Sequence, residues 1–595
     1  MVNLWCCSIG FSPPYSPSYS KRLKTKAICA LSDVRYSPWL QPSTPLHPLV
    51  TASLPTPPHS VCNSLPEWDY TVAFATGKAG LWLKDTVYPR QMVHQQVQKL
   101  INVVVKALGV GGDQHCLLFP TRMLAEECCW FIETHVAPGS CYVRCVTEIA
   151  HAPPPHQVFA VLFTADFNRV MKFYNFTGSA ISTRLAEICM LRHSGDMRRI
   201  LGLPPQGSYL SEYYNRHLPL NSVEDAKNLI RSRFSGMTDG GANIRGVPGA
   251  SANDVYLFST GMQAIWRSYQ LLSATVGNSS KKVAHVNLLY GESYKFLDII
   301  SPGYHFFTDE TIDDLEALLA TGTPESPAIL ALYTDFPGNP HLRTADIRRL
   351  RALSLQYNVP FIVDETLANY LNVQLFPHCD LVVSSLTKLF SGMGNVMCGG
   401  MMLNPTSRFY SRFKAHMEAT YEDSFFDSDA LVLEMNSREF AARTAITNHN
   451  AEKLSDLLYS CSVAGGCKNS IIEAVHYPKY RNRQNFDACL NPLAIQAGLP
   501  QTGYGSLLSV TFISLDAAKA FLAALNCFKG TTLGCVYTLA LAFSVLAFPP
   551  EKKQWMEDHG VEEKLVRFSV GVEDTHDILK CVVDALVVAQ KAVGK

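Results

Sequence analysis

Residues 361–405 read FIVDETLANYLNVQLFPHCDLVVSSLTKLFSGMGNVMCGGMMLNP. Two short runs, Pro360–Val363 at its start and Leu381–Val383 within it, are too short for helices and each ends in polar residues, so each predicts a buried strand. The first run ends in Asp364-Glu365-Thr366, the second in Ser384-Ser385-Leu386-Thr387-Lys388. A carboxylate directly behind a buried strand is costly unless it is paired. Taken alone, Asp364 could cap a helix, bind a metal or pair with a cationic ring nitrogen. In the second loop the hydroxyls at 385 and 387 can share a phosphate while the amine of Lys388 reaches a carbonyl. A lysine beside a buried sheet end is a Schiff-base candidate, because desolvation favours the free amine. An acid and then a lysine on neighbouring strand ends is what pyridoxal phosphate requires: one partner for the ring nitrogen and one for the aldehyde.

Outward from this stretch, strand-like and helical runs alternate from 252 to 405: Val255–Phe258, Gly261–Ser273, Val283–Leu289, Asp309–Ala320, Ala328–Tyr333 and Ala345–Tyr357. This alternation predicts an α/β fold, a mostly parallel sheet with helices on both faces. Ligands in such sheets sit at the carboxyl ends of the strands. Two more post-strand loops therefore draw attention. Ser259-Thr260-Gly261-Met262 passes from strand to helix, and free N–H groups at a helix start can hold phosphate. Tyr290 follows another strand, where an aromatic ring can cover a flat cofactor or simply pack in the core.

The flanks read differently. Residues 1–60 are rich in Ser and Pro and predict a flexible leader. Residues 66–200 form an extra N-terminal α/β region, with a helical pattern over Met92–Leu108 and a strand within Gln157–Thr164. Residues 406–595 predict a C-terminal α+β domain containing a βαβ-like run, Leu507–Val536. Leu533–Phe548 is apolar but shorter than the ~20 residues needed to span a bilayer, and reads as a buried strand, turn and helix. No membrane partner is expected.

Composition narrows the classes. In 595 residues, 47% are hydrophobic and 17% charged, which argues against a disordered or coiled-coil chain. Lys and Arg total 51 against 51 Asp and Glu, and a balanced chain with no basic block is a poor candidate for nucleic acid. The 18 cysteines include no C-x-x-C pair, so they read as buried thiols of a reducing, cytoplasmic compartment, and no metal site is expected. A P-loop, G-x-x-x-x-G-K-[ST], is absent.

Segment 361–405 resembles the strand–Asp…S-x-T-K–G-G signature of the Cys/Met-metabolism family of pyridoxal-phosphate enzymes, which have the aspartate aminotransferase-like fold (fold type I). Within that family the chain is similar to the fungal cystathionine gamma-synthases, which carry an extra N-terminal region. Pro57-Pro58-His59-Ser60-Val61 and Ser64-Leu65-Pro66-Glu67-Trp68 resemble the start of those proteins, so the resemblance covers about residues 55–595. It implies that Lys388 binds the cofactor aldehyde and shuttles protons, that Asp364 partners the ring nitrogen and that Tyr290 stacks on the ring. Gly261, Met262, Ser385 and Thr387 would hold the phosphate. Tyr214-Asn215-Arg216 resembles a Tyr-x-Arg motif that reaches the phosphate of a neighbouring subunit, making 201–251 an arm and the protein a homodimer or homotetramer. Arg567 would grip the substrate α-carboxylate, with Asn339 and Thr532 beside it.

Two positions depart from the pattern. Asp335 stands where the family usually has Glu. The family's S-L-G appears as Thr532-Leu533-Gly534, followed by an unusual Cys535-Val536-Tyr537. The implied reaction is γ-replacement on an O-acetyl- or O-succinylhomoserine with cysteine, giving cystathionine. Other readings are a different nucleophile (sulfide or a carbon acid) in secondary metabolism, a cystathionine lyase, or a non-catalytic regulator that keeps the fold.

Overall fold

The computed structural model describes residues 59–78, 87–195, 223–277, 280–500, 502–547 and 553–594. Most of the expected leader, residues 1–58, lies outside them. His59 and Ser60, at its end, are instead packed: Ser60 and Val61 are buried and Val61 N–H donates to the Gly394 carbonyl.

The described strands form three sheets. In the N-terminal region β1 (His115–Phe119), β2 (Cys141–Cys145) and β3 (Phe159–Phe163) make an antiparallel sheet in the order β1-β3-β2. The expected helix over 92–108 is observed as Gln95–Leu108, starting where the His94 ring accepts the Gln96 N–H. Its apolar face, including Val97, Leu100 and Val104, is buried.

The central sheet contains β4 (Val255–Phe258), β5 (Val283–Val286), β6 (Tyr304–Phe307), β7 (Leu332–Asp335), β8 (Phe361–Asp364), β9 (Leu381–Ser385) and β10 (Gly399–Leu403), in the order β4-β10-β9-β8-β7-β5-β6. Strands β5 to β9 pair in parallel, and only β10 runs against its neighbours β4 and β9. Phe361, Ile362 and Val363 have no exposed surface, as expected for a strand covered on both faces.

Three differences from the sequence reading matter. The strand expected at Ala328–Tyr333 is Leu332–Asp335, so Asp335 stands on a strand end rather than in a loop. Strand β6 was not expected, because its Tyr-His-Phe-Phe run is half-buried at the sheet edge. Strand β10 was hidden by Gly399-Gly400, poor strand formers by composition. Both glycines are needed by close approach: a Cβ on Gly399 would lie 2.1 Å from the Thr260 carbonyl oxygen, and one on Gly400 2.7 Å from the Phe234 ring.

The C-terminal sheet comprises β11 (Ile472–His476), β12 (Leu507–Phe512), β13 (Phe528–Lys529), β14 (Leu539–Leu541) and β15 (Leu565–Ser569), in the order β11-β12-β15-β14-β13. The βαβ-like run is β12, helix Leu515–Ala524 and β13, with β15 and β14 lying between its two strands. The apolar stretch from 533 contains β14 and the short helix Phe543–Ala547. Among the described residues no helix is long and apolar enough to cross a membrane. Helix Phe167–Thr177 of the N-terminal region packs on helices Gly261–Thr275 and Gly291–Ile300 of the central layer, and one apolar cluster runs through all three. This packing brings the N-terminal region to the carboxyl ends of the central strands.

Candidate active site

Lys388 sits in the turn leaving β9, where its N–H donates to the Ser385 carbonyl. Its Nζ lies 3.1 Å from the Tyr88 hydroxyl and 3.3 Å from Thr532 Oγ1. Thr532 can come this close because Gly534 turns the chain with φ +71°; a Cβ there would lie 2.5 Å from the Leu389 nitrogen.

Asp364 ends β8, the neighbour of β9, and accepts the Thr366 N–H at 2.8 Å. Asp335 ends β7 directly opposite Asp364 and accepts the Tyr290 N–H at 2.8 Å. Burial pushes the Asp364 carboxyl up to about 6, against the Thr366 hydrogen bonds. Burial, and then the facing Asp364, pushes Asp335 well above the usual carboxylate range. A small cavity opens beside this pair, bordered also by Ser293, Tyr333 and Val383. The nearby Arg245 is not available to neutralise them. It is bound to Glu365 at 2.6 Å, both side chains being 1% exposed, and its Nε and Nη2 donate to the Phe234 carbonyl. Two adjacent half-buried carboxyls without a cation among the described residues suit a ligand that brings a protonated ring nitrogen.

The phosphate end fits as well. Helix Gly261–Thr275 starts at the Thr260 cap, whose hydroxyl and carbonyl take the Gln263 and Ala264 N–H groups. The N–H groups of Gly261 and Met262 have no acceptor among the described residues. Ser385 faces them so closely that a Cβ on Gly261 would lie 2.6 Å from the Ser385 Cβ. The Ser385 hydroxyl likewise has no hydrogen-bond partner there. Thr387 differs from the expectation: its hydroxyl donates to the Cys398 carbonyl at 3.2 Å and accepts the Cys398 N–H at 3.0 Å. That hydroxyl ties the start of β10 to the lysine turn, and its proton is used there. Tyr214 and Arg216 lie outside the described residues. The free N–H pair, the open serine and the unneutralised carboxyls together match the phosphate and ring ends of pyridoxal phosphate.

Arg567, in β15, is 3% exposed and has no carboxylate partner among the described residues. Its closest polar neighbours are Asn339 Oδ1 at 3.4 Å and the Thr532 carbonyl at 3.5 Å, and its guanidinium lies 4.4 Å from the Phe543 ring centroid. Burial lowers it to about 10. An enclosed guanidinium without an anionic partner is a receptor for a carboxylate. Lys388, Thr532, Arg567 and Asn339 thus form one continuous group.

Two residues of the site were missed from sequence. Tyr88 touches Lys388, and Arg90 donates to the Tyr290 hydroxyl at 2.6 Å. Tyr290, at the start of helix Gly291–Ile300, therefore faces the site with its phenol held by an arginine of the N-terminal region. The available signal is Tyr88-Pro89-Arg90, one of four Tyr-x-Arg runs in the sequence, the others starting at Tyr142, Tyr214 and Tyr410, so the spacing alone does not single it out.

Residues 96–182 match the family described as "Fungal trans-sulfuration enzyme, N-terminal domain". The chain is 35% identical to a cystathionine gamma-synthase-like enzyme of Amanita muscaria, over 92% of this chain and 99% of that one. It is 30% identical to a cystathionine gamma-synthase of Neurospora crassa, over 90% and 97%. It is also 30% identical to an alanine racemase of Aspergillus violaceofuscus, over 89% and 94%. Residues 243–587, which carry Lys388, Asp364 and Arg567, match the "Cys/Met metabolism PLP-dependent enzyme" family, and the chain belongs to it as a fold type I, pyridoxal-phosphate-dependent enzyme.

Proposed function

We propose that the protein catalyses γ-replacement on an activated homoserine, the O-acetyl or O-succinyl ester, with cysteine as nucleophile and cystathionine as product. Bound pyridoxal phosphate supplies the electron sink that makes the substrate Cα–H acidic. Asp364 keeps the ring nitrogen protonated; unit charges ~3 Å apart at an effective dielectric of ~20 attract by roughly 5 kcal/mol. Gly261, Met262 and Ser385 hold the phosphate, and Tyr290 covers the ring. Arg567 takes the α-carboxylate as a bidentate partner, with Asn339 alongside. Lys388 accepts the Cα proton and moves protons at Cβ, which allows the γ-ester to leave and a thiol to add. The Thr532 hydroxyl, 3.3 Å away, orients the lysine amine between these positions.

The observation that carries the amino-acid substrate is the enclosed Arg567, unpaired by any described carboxylate and linked through Thr532 to Lys388. The choice of γ-replacement rests on the similarity to cystathionine gamma-synthase over most of both chains. A second reading keeps the electrophile and changes the nucleophile to sulfide or a carbon acid. It is favoured by the altered Cys535-Val536-Tyr537 segment, whose Cys535 is buried near Lys388. We further infer a homodimer or homotetramer in which Tyr214 and Arg216 reach a neighbouring site, and a cytoplasmic location suited to its free thiols. Mass analysis of products from each homoserine ester with cysteine, sulfide and a carbon acid tests the function. Cystathionine as the main product is expected; 2-oxo acid release without replacement overturns it in favour of a lyase.

A further inference from the structure

The N-terminal region brings a second phenol to the catalytic lysine. Tyr88 is 6% exposed, and its hydroxyl is 3.1 Å from Lys388 Nζ. The Lys388 Nζ also lies 4.8 Å from the Tyr88 ring centroid. The segment is fixed from both sides. Tyr88 N–H donates to Asn63 Oδ1 at 2.7 Å, and Asn63 Nδ2 donates to Gln91 Oε1 at 2.6 Å. The Pro89 carbonyl accepts the Tyr174 hydroxyl at 2.7 Å. Arg90, 3% exposed, donates to the Asn175 carbonyl and to the Tyr290 hydroxyl, both at 2.6 Å. Its guanidinium lies 5.4 Å from the Tyr88 ring centroid and 5.6 Å from that of Tyr290. A tyrosine that served only to fill space would not need its hydroxyl aimed at the reacting amine, nor an arginine between it and the phenol of Tyr290.

We propose that Tyr88 is a catalytic acid–base residue delivered to Lys388 by the N-terminal region of the same chain, with Arg90 as the positioning residue that locks it beside Tyr290. The inference rests on Lys388 being the reacting amine and is independent of which nucleophile is used. After Lys388 has taken a proton from substrate, its ammonium N–H breaks and an O–H forms on the Tyr88 phenolate, leaving a neutral amine and a neutral phenol. The reverse transfer re-protonates Lys388. No electrons are exchanged. The surroundings favour this poise. Burial pushes the Tyr88 phenol up, but the charges of Lys388 and then Arg90, with their hydrogen bonds, bring it below the usual tyrosine range. The charged and titratable groups facing this corner are Lys388 on the β9 turn with the Cys62 and Cys535 thiols near it, Arg90 on the same segment with the Tyr290 phenol, and Glu292 and Lys295 on the helix behind Arg90. Arg90, held near Glu292, remains a cation throughout.

The test compares wild type with Tyr88→Phe, which keeps the ring, and Arg90→Lys, which keeps the charge. In cofactor-free protein, competitive labelling of the Lys388 amine by acetic anhydride is followed across pH by peptide mass spectrometry. In the cofactor-loaded protein, exchange of the L-homoserine α-hydrogen with deuterated water is followed, a step that needs neither leaving group nor nucleophile. Tyr88→Phe is expected to move the Lys388 labelling midpoint to lower pH and to slow exchange at least tenfold, with the near-ultraviolet circular dichroism of the fold retained. Arg90→Lys should cause a smaller loss of exchange and a labelling shift in the same direction. Lys388 labelling curves that superimpose for wild type and Tyr88→Phe overturn the proposal, whether or not homoserine is accepted. Cystathionine production could then stand without it, and a Tyr88-dependent labelling shift would stand even if cysteine were not the nucleophile.

Discussion

Asp335 and Asp364 stand opposite one another at the ends of adjacent parallel strands, and no described cation pairs with either. Each strand end is held by one backbone donor, from Tyr290 and from Thr366. A folded-state carboxyl raised to about 6 contributes stability that is fully present below its unfolded value and is lost as pH rises through about 6. Cofactor-free wild type should therefore lose thermal stability relative to Asp364→Asn as pH is raised from the acid side through 6. Calorimetry of both proteins across that window checks this. Pyridoxal phosphate should reverse the ranking at neutral pH, because its cationic nitrogen pairs only with the aspartate.

Gly261 offers a steric test of the phosphate cradle. A Cβ at this position meets the Ser385 Cβ at 2.6 Å and its Cα at 3.0 Å, so the backbone itself must shift. Gly261→Ala should weaken pyridoxal-phosphate affinity at least tenfold, about 1.4 kcal/mol. The fold should remain, since helix Gly261–Thr275 keeps its Thr260 cap. Equilibrium titration of cofactor-free protein gives the number.

The Arg245–Glu365 pair anchors the turn that follows Asp364. Both side chains are 1% exposed, and the guanidinium also lies 4.2 Å from the Tyr370 ring centroid. Removing one partner leaves a buried charge, so Arg245→Met alone should cost about 3–5 kcal/mol. The double change Arg245→Met with Glu365→Leu should recover much of that loss. Denaturant midpoints for the single and double variants give the comparison.

The central layer was legible because its strands are short, apolar and closed by polar loops. The runs Pro360–Val363 and Leu381–Val383 match β8 and β9 within a residue or two, with Asp364 ending the first strand and Lys388 in the turn that leaves the second. What escaped depended on tertiary contact. Gly399-Gly400 read as loop because close approach, not propensity, makes them a strand. Thr387 looked like a phosphate ligand by spacing, yet its hydroxyl is taken by the Cys398 backbone, a contact made across an antiparallel pair. Tyr88 and Arg90 come from a region some 300 positions before Lys388, and their one local mark, a Tyr-x-Arg spacing that recurs elsewhere in the sequence, does not announce a catalytic neighbour.

Arg567 separates binding from chemistry. Its guanidinium is enclosed between Asn339, the Thr532 carbonyl and the Phe543 ring. Arg567→Lys keeps a charge but loses the fork that matches a carboxylate. A charged hydrogen bond is worth about 1.5–3 kcal/mol, so the KM for the amino-acid substrate should rise between about tenfold and a hundredfold. Cofactor affinity should change less than twofold. Steady-state kinetics with a parallel cofactor titration checks both halves.

Reduction of the cofactor-loaded protein with borohydride, followed by peptide mapping, tests the assignment of Lys388 most directly. The account predicts a single pyridoxyl-phosphate adduct, on the peptide containing Lys388, and no adduct at that site in Lys388→Ala. An adduct on a different lysine, or none in protein that retains stoichiometric cofactor, would contradict it.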